Sequence, residues 1–148
     1  MARITYGEAL QSLSTRNDAL ALFYREGARS LLSRSMSNLA ASIIDQRREL
    51  AKELASLARE EALAALPLEI EGTLPQPPSP APSPDSRVES FLEGMLKMET
   101  EDYDSLSALA GAVLPRSVEA AERLAALAEQ ARKRASWAQD HLELLGIS

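Results

Sequence analysis

The chain has 148 residues and a formal net charge of −6; 45% of it is hydrophobic, only 4% is aromatic, and it contains no cysteine. The missing cysteines exclude disulfides, zinc–thiolate sites and cysteine nucleophiles. An acidic chain with no dominant basic stripe is also a poor candidate for nucleic acid, whose phosphates reward positive charge.

Leu and Ala dominate, with Arg and Glu around them, which favours helices over strands. The first predicted helix covers about 6–32. Thr5 and Glu8 have the spacing of a capping box. Leu10, Leu13, Leu20, Tyr24 and Leu31 follow a 3–4 spacing in which Asn17 takes the one polar step. Met1 to Tyr6 has no basic region leading into an apolar run, so no signal peptide is expected. No apolar run approaches the roughly 18 residues of a membrane span, and the default reading is a cytoplasmic protein. Ser33-Arg34-Ser35 reads as a turn, either serine serving as a cap. The second helix, 33–66, carries Met36, Leu39, Ile43, Leu50, Leu54 and Leu57 and is stopped by Pro67. It is expected to overhang the first helix and to present Leu57, Leu63 and Leu66 as an apolar strip. That strip predicts a homodimer or higher homo-oligomer, or an unknown protein partner.

Residues 67–84, PLEIEGTLPQPPSPAPSP, hold seven of the eight prolines and are expected to lack regular structure, being unsuited to helix or central strand. Polyproline II extends about 3.1 Å per residue, so the segment 67–85 reads as a long Pro-rich crossover rather than a floppy linker. The third helix, 86–113, opens at a second capping box, Ser86 and Glu89, and carries Val88, Phe91, Met95, Leu106, Leu109 and Val113. Pro115 reads as a tolerated first-turn proline of the fourth helix, 116–145. That helix carries Val118, Ala121, Leu124, Ala125, Ala128, Ala135, Ala138 and Leu142, with Gly146 as its stop. His141, in the last turn, reads as a complement to the helix carbonyls rather than a metal ligand. Trp137 reads as a core or interface anchor, and Tyr24 and Tyr103 as core tyrosines. The halves match at an offset of 82, as in Arg34-Ser35-Met36 against Arg116-Ser117-Val118 and Leu10 against Leu92, which suggests an internal duplication. The expected fold is therefore all-α: two antiparallel helical hairpins, 1–66 and 86–148, in a single four-helix-bundle domain spanning 1–148.

Each stripe is interrupted near mid-helix: by Asn17, by Gln46 and Arg47, by Glu99 and Asp102, and by Arg132. With turns near 33 and 114, Asn17 lies opposite residues 47–49 and Glu99 opposite 129–132. Inward-pointing carboxylates need partners. The expectation is a mid-bundle polar layer of Asn17, Arg47, Glu99, Asp102 and Arg132, in which Arg47, Arg48 or Arg132 supplies the positive charge.

The segments Asn17-Asp18-Ala19-Leu20-Ala21-Leu22-Phe23-Tyr24 and Lys97-Met98-Glu99-Thr100-Glu101-Asp102-Tyr103 resemble the rubrerythrin branch of the ferritin-like superfamily, where a Glu precedes a Phe-Tyr or Tyr by about two turns. The resemblance implies two hairpins joined by one long crossover. It also implies two irons held by a Glu from each of two helices and a Glu-x-x-His from each of the other two. The chain departs from that pattern. Asn17 stands where the family has a Glu, Asp45-Gln46-Arg47-Arg48 where a Glu-x-x-His would be sought, and Ala138 three residues before the lone His141. Glu99 alone is in register as a ligand type. The resulting expectation is a non-catalytic scaffold or interaction protein of ferritin-like fold with no cofactor. The alternative is a ferritin-like metal-binding or redox protein with iron at an atypical site of Glu99, Asp102, Asp45 and Glu49. A nucleic-acid adaptor using Arg25, Arg29, Arg34, Arg47 and Arg48 ranks third. No Gly-rich phosphate loop, Ser/His/Asp set or HExxH motif points to an enzyme.

Overall fold

Buried positions spaced alternately three and four residues apart run through all four helices and fix which side of each faces its neighbour. The computed structural model describes residues 2–28, 34–60, 65, 67–70 and 88–144. Helices dominate the described residues: α1 (Tyr6–Ala28), α2 (Arg34–Ala58), α3 (Val88–Val113) and α4 (Val118–Leu144), with two short strands, β1 (Ala2–Thr5) and β2 (Pro67–Ile70). None of these helices is long and apolar enough to cross a membrane. The chain divides into two units, Met1–Pro84 and Asp85–Ser148.

In the first unit α1 packs along α2. The capping box forms as expected: the Glu8 amide donates to Thr5 Oγ1 at 3.1 Å, and the Thr5 hydroxyl donates to Glu8 Oε1 at 2.9 Å. Tyr6, Leu10, Leu13, Leu20 and Tyr24 face inward from α1, and Ile43, Leu50, Leu54 and Leu57 from α2. Of the residues expected on these stripes, the side chains of Leu31, Met36 and Leu39 lie outside the described residues, as does Ser33; Ser35 falls inside α2 rather than capping it.

Two expectations are corrected here. The second helix does not run unbroken to 66. It ends at Ala58, where the Arg59 amide turns back to Ser56 O (3.1 Å) and the Glu60 amide to Leu57 O (3.2 Å). Leu57 is buried rather than offered to a partner, while Leu63 and Leu66 lie outside the described residues. Nor is 67–84 without regular structure throughout. Pro67–Ile70 pairs antiparallel with Ala2–Thr5, Thr5 opposite Pro67 and Ala2 opposite Ile70. In a two-stranded ribbon every strand is an edge, and proline is tolerated as the first residue of an edge strand. Residues 71–84 lie outside the described residues.

In the second unit α3 packs along α4, burying Phe91, Leu92, Met95, Leu106, Leu109 and Val113 against Ala121, Leu124, Ala128, Ala131, Ala135, Ala138 and Leu142. Six of the eight residues expected on the fourth stripe are buried; Val118 and Ala125 are exposed. Pro115 sits in the connecting turn, where it cannot continue the α3 bonding, and α4 starts only at Val118. Ser117 caps α4, its Oγ accepting from the Ala120 amide at 3.1 Å. Ser86 and Gly146 lie outside the described residues.

The register of the two units bears on the duplication. In α1 and α3 the offset of 82 superposes buried on buried: Leu10 on Leu92, Leu13 on Met95, Asn17 on Glu99, Leu20 on Asp102, Tyr24 on Leu106. In α2 and α4 that offset fails, placing Ile43 on the exposed Ala125 and Arg47 on the exposed Glu129. An offset of 81 succeeds there: Ile43 falls on Leu124, Arg47 on Ala128, Leu50 on Ala131, Leu54 on Ala135 and Leu57 on Ala138, all buried. The second hairpin thus has one residue fewer between Leu106 and Leu124 than the first has between Tyr24 and Ile43.

Candidate functional site

The chemistry-bearing residues of the interior are the polar steps of the helical stripes. Asn17 follows Leu10 and Leu13 and precedes Leu20 on the same face of α1, and Arg47 falls between Ile43 and Leu50 on α2. Both are buried, and Arg47 Nη1 donates to Asn17 Oδ1 across the hairpin. The Asn17 amide group also donates to Leu13 O at 2.8 Å, which fixes the side chain's orientation. The Arg47 guanidinium carbon lies 5.9 Å from the centre of the buried Tyr24 ring, within cation–π range. One turn away the Ser14 hydroxyl donates to Ala51 O at 2.7 Å, a second polar rung between α1 and α2. Arg16 is buried as well. Gln46, expected beside Arg47 in the gap, faces outward, as does Arg48.

In the second unit Glu99 and Asp102 occupy successive stripe positions on α3, and both are fully buried. The cation that meets Glu99 is Arg134, whose Nε donates to Glu99 Oε1 at 2.6 Å, the side chains being 7% and 0% exposed. Arg132 is not part of this arrangement, contrary to expectation. It lies on the outer side of α4, bonded at 2.9 and 3.0 Å from Nε to the exposed carboxylate of Glu129. That hydrogen bond is the main reason the Glu129 carboxyl is held below its usual range, and Arg132 is correspondingly raised. The reason for the exchange is helical phase. Ala131, Arg134 and Ala138 are three and four apart on the buried side, and Arg132 is rotated off it.

Of the expected polar layer, Asn17, Arg47, Glu99 and Asp102 are therefore buried, and Arg16 and Arg134 join them. The remaining fallback carboxylates, Asp45 and Glu49, are exposed on α2, and Glu49 pairs with Lys52 at 3.2 Å. Among the described residues no group of three or more His, Cys, Asp or Glu side chains is placed to hold a metal ion. His141 has its ring Nδ1 2.9 Å from Trp137 O and stacks on the Trp137 ring, centroids 3.9 Å apart and planes at 28°. Tyr103 is half-buried on α3.

Arg16 and Arg134 were missed for different reasons. Arg16 adjoins Asn17 and flanks the stripe, a position that sequence spacing leaves undecided between core edge and surface. Arg134 carried a usable signal, because it is three residues after Ala131 and four before Ala138, but Arg132 fits the spacing as well, four after Ala128 and three before Ala135.

No protein-family model matches the chain, and neither a curated protein nor a solved structure does.

Proposed function

We propose that the chain is a non-catalytic helical scaffold or interaction protein of ferritin-like fold, with the polar steps within each hairpin bonded to one another instead of to metal. The observation that carries this reading is the bond from Arg134 to Glu99. Glu99 is the one carboxylate in register with a ligand of the resembled family, and a guanidinium already occupies it below the surface. A fixed positive charge there repels a divalent cation with little screening, and its hydrogen bond takes up lone pairs that coordination would need. Asn17, at the equivalent position of the first hairpin, is a neutral amide whose oxygen accepts from Arg47.

One observation favours the second reading, a metal-binding or redox protein with iron at an atypical carboxylate site. The second unit buries two carboxylates, Glu99 and Asp102, one turn apart on α3, the first of them paired with Arg134. Elemental analysis of the purified protein and calorimetric titration with iron(II) and manganese(II) separate the two. The scaffold reading expects no stoichiometric metal and no rise in melting temperature on adding either ion. Two equivalents of iron per chain, lost in Glu99→Ala, would overturn it in favour of the metalloprotein.

A further inference from the structure

We draw no further inference here: the strongest candidate, the exposed apolar tip that Leu114, Pro115 and Val118 form at the turn between α3 and α4, carries nothing because nothing in the structure shows what covers it.

Discussion

Arg134→Ala tests the interior chemistry most directly. The substitution leaves the Glu99 carboxylate at its fully buried position without the guanidinium that meets it at 2.6 Å. Two responses are open to the folded protein. Keeping the charge in place costs about 3–5 kcal/mol, the usual penalty for breaking a buried pair from one side. Taking up a proton instead costs, at pH 7, about 1.4 kcal/mol for each unit above an ordinary glutamate pKa of about 4.3, or about 3.7 kcal/mol. The cheaper response sets the loss, so Arg134→Ala is expected to destabilise the second unit by about 3–4 kcal/mol at pH 7. Near pH 4.5 protonation is almost free, and the electrostatic part of the loss falls below about 1 kcal/mol. The paired replacement Glu99→Leu with Arg134→Leu removes both charges and is expected to fall within about 1 kcal/mol of the parent or above it. Urea titration followed by fluorescence is the assay, because the only tryptophan, Trp137, lies on α4 and reports this unit. Arg132→Ala is the control: its pair with Glu129 is exposed, and no change in midpoint is expected. A loss under about 1 kcal/mol for Arg134→Ala at pH 7, or an equal loss at both pH values, would refute the buried-charge reasoning.

Asn17→Ala removes the oxygen that accepts from Arg47 and is expected to cost about 1–3 kcal/mol, read as a drop in the thermal midpoint by circular dichroism. Ser117→Ala deletes the cap on α4 and is expected to cost about 1 kcal/mol; an unchanged urea midpoint would show that the Ala120 amide finds water instead. Gly111→Ala is expected to stabilise by about 0.5–1 kcal/mol, since the added Cβ meets nothing within 4 Å and the residue is exposed inside α3. Destabilisation on the same measurement would mean that this stretch of α3 is not helical in solution.

The buried polar steps of α1, α2 and α3 were readable because large apolar residues bracket each of them. Leu13 and Leu20 around Asn17, Ile43 and Leu50 around Arg47, and Met95 and Leu106 around Glu99 and Asp102 leave little choice of helical phase. On α4 the brackets are alanines, at 120, 121, 125, 126, 128, 131, 135 and 138. Arg132, between Ala128 and Ala135, therefore fits the spacing as well as Arg134, between Ala131 and Ala138, and stands in its place in the expected layer. The end of α2 was hidden for another reason. No glycine or proline follows Ala58 until Pro67, and local propensity continues the helix. What coincides with its end is distant in sequence: the following chain must come back to set Pro67 opposite Thr5. The strand at 67–70 did carry a local trace in the alternation of Leu68, Glu69 and Ile70, outweighed by the prolines beyond it.

The ribbon between Ala2–Thr5 and Pro67–Ile70 gives the first hairpin the topology of a closed loop. Ala2 stands opposite Ile70, so the chain enters and leaves this module at neighbouring points, with α1 and α2 as the body of the loop between them. A module whose ends adjoin is suited to circular permutation or to insertion into another chain, because joining the old ends spans little distance. It also means that fraying at the amino terminus is not confined there: losing β1 strips β2 of its partner and opens the loop from both sides at once.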